Sequence, residues 1–293
     1  MKNSLFSMRE RENFQRIKSA VLWRTHRFAP TLIFIILTFL SAISNKAYAV
    51  DITAGITTWY AWGEQYNSQE GKFGEHNTIT ESDPSLLFGP AMSVKFNDDF
   101  NLTFVFLYGK FNAVKSDDSK SDFTRIDSDL AINYKLHDYF KVFAGIKYLS
   151  YGIMPVKGNY FVDNDFEIES IDPHASYGTG LGASATIPIT GNLFGFATVS
   201  GLYLFGKQGV SIYKMEENTN WKETRTLKIG YKEYGINTNL SAAYYIAEWS
   251  TVISLGGRFQ YIIADYKDND IHLSTVQFLI YGVTLTATYT FNI

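Results

Sequence analysis

Residues 92–108 read MSVKFNDDFNLTFVFLY. Met92, Val94 and Phe96 precede a polar knot, Asn97-Asp98-Asp99. Phe100, Leu102, Phe104, Phe106 and Tyr108 follow it, with Ser93, Lys95, Asn101 and Thr103 in the intervening positions. Successive side chains of a strand point to opposite faces, so the stretch reads as a tight β-hairpin with one aromatic-rich face and one polar face. What the aromatic face meets, a protein core or lipid, decides the fold.

The same period of two recurs along most of the chain, and no 3.6-residue apolar stripe competes with it. Ten runs stand out, at 52–63, 86–96, 100–111, 125–136, 140–151, 175–188, 194–205, 234–246, 251–263 and 277–292. Each exceeds the five or six residues of an ordinary globular strand and meets the roughly 9–11 that a tilted strand needs to cross a bilayer. Connections alternate in length. Short ones fall at Asn97-Asp98-Asp99, His137-Asp138-Tyr139, Thr190-Gly191-Asn192 and Glu248-Trp249; long polar ones cover 64–85, 112–124, 152–174, 206–233 and 264–276. This predicts an all-β chain, a transmembrane antiparallel up-and-down barrel of about ten strands, with short periplasmic turns and long extracellular loops.

Charge assigns the faces. Lys95, Asp127, Asp129, Lys147, Arg258 and Gln260 all lie opposite the apolar positions of their runs. A Lys or Arg facing lipid at the bilayer midplane costs roughly 2–4 kcal/mol, so these faces are expected to line the lumen. The predicted luminal polar network is Lys95, Arg125, Asp127, Asp129, Lys147, Asn239, Arg258 and Gln260. A three-residue turn at 137–139 sets Lys135 against Lys141, Asp129 against Lys147 and Asp127 against Leu149. Asp129 is then expected to pair with Lys147, and Asp127 with Arg125 or a neighbour on the preceding strand. Aromatic residues gather at the run ends, the pattern of interfacial girdles.

The first 49 residues read as an export signal. Arg24, His26 and Arg27 precede an apolar run from Pro30 to Leu40, and Ala47-Tyr48-Ala49 supplies a small-x-small cleavage pattern. The expected division is a signal peptide over 1–49 and a barrel domain over 50–293. Residues 1–49 hold 8 of the 26 Lys and Arg and 2 of the 29 Asp and Glu, leaving the remainder with a net charge of about −9. That balance argues against a nucleic-acid partner. With no Cys, disulfide scaffolds, thiolate metal sites and a lipidated N-terminal Cys are excluded.

The chain ends GVTLTATYTFNI, residues 282–293, with Leu285, Ala287, Tyr289, Phe291 and Ile293 on one face and Thr284, Thr286, Thr288 and Thr290 on the other. This resembles the C-terminal strand of Gram-negative outer-membrane β-barrel proteins, which usually end on an aromatic residue. The resemblance implies an outer-membrane location and Tyr289, Phe291 and Ile293 as the signal read by the barrel-assembly machinery. It also implies contact with outer-membrane lipid and lipopolysaccharide.

Asp127-Ser-Asp129 is the sharpest candidate for chemistry, with Asp172-Pro-His174 and Asp270-Ile-His272 as Asp-x-His pairs. Ten strands with these pairs are similar to the omptin family of outer-membrane proteases. That resemblance implies Asp127 and Asp129 as an acidic pair, with Asp172/His174 or Asp270/His272 as the base pair. The family's Trp-Thr-Asp and Arg-rich aromatic-Gly blocks are missing, and the same acids read as a luminal salt-bridge network. The expected function is therefore non-enzymatic: porin-like passage of small solutes through a narrow polar lumen, or surface binding through long loops. An omptin-like aspartyl protease is the alternative. No Gly-x-Ser-x-Gly elbow occurs, and His76, His137, His174 and His272 are expected in solvated turns or loops. Asp163, Asp165, Glu167 and Glu169 form an acidic loop that could ligate a hard cation, without EF-hand spacing; no cofactor is expected. Lys207, Lys214, Lys222, Arg225 and Lys228 stand against Glu216, Glu217 and Glu223, so the 207–228 segment is near charge balance; it could contact lipopolysaccharide phosphates or a partner, and the same charges serve solubility.

Overall fold

The computed structural model describes residues 51–71, 74–114, 120–151, 166–170, 174–216, 220–268 and 271–292. The expected signal peptide lies outside them. The strands are β1 (Asp51–Gly71), β2 (Gly74–Lys95), β3 (Phe100–Val114), β4 (Lys120–His137), β5 (Phe140–Tyr151), β6 (Phe166–Ser170), β7 (His174–Thr190), β8 (Leu193–Glu216), β9 (Asn220–Ile246), β10 (Thr251–Asp268) and β11 (Ile271–Asn292). Each long strand pairs antiparallel with its neighbours in sequence, and β1 also pairs with β11, Ile52 opposite Phe291. The sheet closes into a ten-stranded up-and-down barrel and so has no free edge across its middle. The short β6 is an eleventh strand, laid beside the far end of β8 with Ser170 opposite Val210.

Each of the ten alternating runs falls on one barrel strand, with Phe96 alone left outside, just beyond β2. Two of the long connections differ from plain loops. Residues 64–71 pair with 74–81, and 206–216 pair with 220–231, as antiparallel extensions of the barrel strands. Apolar alternation marks only the part of a strand with one dry face. Backbone pairing continues beyond it because both faces there can be polar while the ladder still satisfies every N–H and C=O.

The short turns follow from their residues. Asn97 Oδ1 accepts from the backbone N–H groups of Asp99 (2.9 Å) and Phe100 (2.8 Å), an Asx-type closure. Gly191 takes φ +40°, where a side chain would be strained. The last short turn is a 3-10 turn over Ala247–Trp249 closed by Ser250 in the left-handed region.

The two faces separate as charge demands. Ile56, Leu86, Ile132, Ile146, Leu181, Leu240 and Leu255 are exposed on the outside. The core lies inside the barrel, where Trp59, Leu87, Leu107, Phe111, Leu149, Leu204, Ile262 and Ile280 pack together from strands all round the wall. Outward aromatic side chains form two levels. Phe100, Tyr134, Phe140, Tyr244, Tyr289 and Phe291 stand near the short-turn end, and Tyr60, Tyr108, Tyr177, Tyr203, Tyr234 and Tyr281 are exposed higher up.

Candidate functional site

Alternation on β4 sends Arg125, Asp127 and Asp129 into the lumen, and the β4–β5 register sets Asp129 opposite Lys147 and Asp127 opposite Leu149. Lys147 Nζ donates to both oxygens of Asp129 at 2.9 Å and to Asp127 Oδ1 at 2.7 Å. From across the lumen, β10 contributes Arg258 and Gln260. Arg258 Nη2 donates to Asp127 Oδ1 and Oδ2 at 3.3 and 3.2 Å, and Gln260 Nε2 donates to Oδ2 at 3.3 Å. Arg125 Nη2 reaches Asp127 Oδ2 at 3.4 Å and also donates to Gln260 Oε1. A carboxylate has about four lone-pair sites, and those of Asp127 are fully taken.

Burial explains why so many donors are needed. Arg125, Asp127, Lys147 and Gln260 are at most 1% exposed, and a buried charge is tolerated only when paired and hydrogen-bonded. The two guanidinium groups also rest on aromatic faces, Arg125 4.4 Å from the centre of the Tyr151 ring and Arg258 4.5 Å from that of Trp59. Such cation–π contacts strengthen where water is excluded. Asp129 remains about one-third exposed.

Two residues expected in this network lie apart from it. Lys95 stands at the short-turn rim, 45% exposed, in an ion pair with Asp98 at 2.8 Å; its position next to the turn gives it a nearer carboxylate. Asn239 is luminal and in register with Arg258, but its Oδ1 is buried without a partner because Arg258 Nε donates to Asn237 Oδ1 at 3.0 Å. Asp127 also has a wider set of partners than Arg125 or a preceding-strand neighbour. Lys147 reaches past Asp129 to it, and Arg258 reaches it from the opposite wall, a contact that no local register reveals.

A second cluster lies nearer the long-hairpin end. His174, expected in a solvated loop, opens β7 and is 3% exposed. Its Nε2 contacts Glu233 Oε1, and its Nδ1 lies 2.7 Å from the Tyr266 hydroxyl. Ser176 Oγ donates to Glu233 Oε2. The Tyr231 ring stacks on His174 with centroids 4.1 Å apart, and its hydroxyl donates to the Ala175 carbonyl at 2.6 Å. Gly206 makes room for that ring, since a Cβ there would lie 2.0 Å from Tyr231 Cζ. No sequence motif marks Glu233, Ser176, Tyr231 or Tyr266 as partners of His174; Glu233 shares only the strand parity of the luminal Asn237 and Asn239.

Asp172 and Asp270 lie outside the described residues, as do Asp163, Asp165 and Ile293 and the side chains of Glu167, Glu169 and His272. Tyr289 and Phe291 project outward from β11 with ring centroids 4.7 Å apart. Among the described residues no group of three or more His, Cys, Asp or Glu is placed to hold a metal ion.

No protein-family model matches the chain, and no curated protein matches it. Solved structures do. The outer-membrane protease OmpT from Escherichia coli is 11% identical, with 82% of this chain and 97% of that one covered and a TM-score of 0.50. The outer-membrane protein AlkL is 10% identical over 85% of this chain and 93% of that one, with a TM-score of 0.39. The outer-membrane protein OprG from Pseudomonas aeruginosa is 11% identical over 85% and 98%, with a TM-score of 0.33. The closed ten-strand barrel, filled from its own walls, has the fold of the Gram-negative outer-membrane β-barrels.

Proposed function

We propose that the chain is an integral barrel of the Gram-negative outer membrane that acts through its cell-surface end, without enzymatic activity and without bulk passage through its lumen. Residues 1–49 direct its export, and Tyr289 and Phe291 at the end of β11 engage the assembly machinery. The short turns face the periplasm and the long hairpins face outward. Eight to ten residues separate the two outward aromatic levels, as between Phe100 and Tyr108, Tyr289 and Tyr281, or Tyr244 and Tyr234. At about 3.3 Å per residue and a tilt near 40°, that spacing spans about 20–25 Å, close to the apolar band of an outer-membrane barrel. Beyond it the β1–β2 and β8–β9 hairpins rise as surface projections.

One observation carries the reading. At mid-height the lumen is occupied by side chains that solvent does not reach: Arg125, Asp127, Lys147 and Gln260 beside Trp59, Leu107, Leu149 and Ile262. A small barrel with its interior filled leaves no aqueous channel. Saturation of Asp127 by donors supports a structural role, because a water-activating carboxylate needs a free acceptor site in reach of solvent. Proteoliposome swelling with small sugars, run beside a peptide-cleavage assay, tests both halves. Swelling no faster than in empty liposomes and intact peptide are expected; sugar-dependent swelling or cleavage abolished by Asp127→Asn would refute the proposal.

A further inference from the structure

The outer wall of β8 and β9 carries a set of charges that the luminal site does not use. Lys207 on β8 lies opposite Gly230 on β9, and Lys228 and Lys232 flank Gly230 two residues to either side on the same strand. All three lysines are exposed, and among the described residues they form no ion pair. Two-residue steps and diagonal positions of an antiparallel pair lie within about 7–8 Å, so three flexible ammonium groups can converge on one point. That point is open, because a Cβ on Gly230 would meet nothing within 4 Å. On the other side, Lys267 of β10 occupies the register position opposite Gly230, and Asp265 that opposite Lys232.

The neighbours below the lysines are apolar. Phe205 is in register with Lys232 and Tyr203 with Tyr234, all on the outward face. Tyr203, Phe205 and Tyr234 are exposed, and the Tyr203 and Phe205 rings meet edge-on with centroids 4.9 Å apart. Gly201, two residues further down, again leaves open space. A cationic notch directly above an exposed aromatic step fits an amphiphile with a phosphorylated head and acyl tails. Ammonium groups bind phosphate as point charges, and aromatic rings suit the boundary between head and tail.

We infer that the notch around Gly230, formed by Lys207, Lys228 and Lys232, binds the head phosphate of a phosphorylated glycolipid of the outer leaflet. The acyl chains run down over Tyr203, Phe205 and Gly201. This inference rests on the outer-membrane reading above and adds a defined lipid site to it.

The test uses the barrel purified from membranes and two probes, bisphosphorylated lipid A and the same lipid dephosphorylated, with binding read by native mass spectrometry. Wild type is expected to prefer the phosphorylated probe. The triple variant Lys207→Gln/Lys228→Gln/Lys232→Gln is expected to bind it about tenfold more weakly, while the triple Lys→Arg variant retains binding. Lys207→Gln alone lowers affinity in the same direction, should the triple variant fail to insert. Equal binding of both probes by wild type, or unchanged binding by the Gln variant, overturns the site. Displacement of the lipid by millimolar inorganic phosphate identifies a free-phosphate site and also overturns it. Recovery of wild type outside the outer-membrane fraction overturns the membrane reading as well, whereas correct insertion with undiscriminating binding overturns the lipid site alone.

Discussion

Replacing Asp127 with Asn keeps its shape and removes its charge. The substitution leaves Arg125, Lys147 and Arg258 with Asp129 as their nearest carboxylate. Asp129 reaches Lys147 at 2.9 Å and Arg258 at 3.7 Å. Arg125 then keeps the Gln260 amide oxygen and the Tyr151 ring but has no carboxylate partner, at a site with no exposure. Removing one partner of a buried ion pair costs about 3–5 kcal/mol. For a domain of this size each kcal/mol moves the unfolding midpoint by about 2–4 °C, so Asp127→Asn is expected to lower it by about 6–20 °C. Asp129→Asn provides the contrast. Asp129 is one-third exposed, and without it Lys147 keeps Asp127 at 2.7 Å, so the loss should stay near 1 kcal/mol. Heat-modifiable gel mobility of the purified barrel, measured across a temperature series, reads both midpoints. Equal shifts for the two variants, or a neutral Asp127→Asn, would refute the assignment of Asp127 as the centre of the cluster.

Glu233→Ala leaves the Ser176 hydroxyl and the His174 ring nitrogen without their acceptor and should destabilise the barrel by about 1–3 kcal/mol, seen as a lower urea midpoint. Gly206→Ala drives a Cβ into the Tyr231 ring, so the ring should leave His174 and shift the His174 imidazole resonances. In the Asn97-Asp98-Asp99 turn, the hydrogen bond and charge of Lys95 hold the Asp98 carboxyl below its usual 3.8. The ion pair is therefore complete above that value and is lost as pH falls through the lower folded pKa; Lys95→Ala should return the NMR titration midpoint of Asp98 to the ordinary range. Protease applied to intact cells should cut within 206–233, while tags inserted at 98 or 191 stay protected. Surface exposure of those short turns would reverse the proposed orientation.

The barrel was legible because its signal is local. Alternation in stretches such as 100–111, and turn residues such as Asn97 and Gly191, act on neighbouring residues, and closure follows once every strand needs a partner on both sides. The β4–β5 register followed from the turn at 137–139, which set Asp129 against Lys147. Contacts across the lumen were beyond that reasoning. Arg258 meets Asp127 only because the sheet curls β10 round to face β4, and Glu233 meets His174 across β8. The hairpin extensions of 64–85 and 206–233 were hidden because a strand wet on both faces has no apolar period to read.

Planar-bilayer recording of the purified barrel tests the central claim most directly, since it asks whether ions find a path past Arg125, Asp127, Lys147 and Gln260. With those side chains in place the membrane should stay silent after insertion, without stable single-channel steps at any holding potential. Reproducible unitary steps from wild type would contradict the filled lumen and return the barrel to the class of conducting pores.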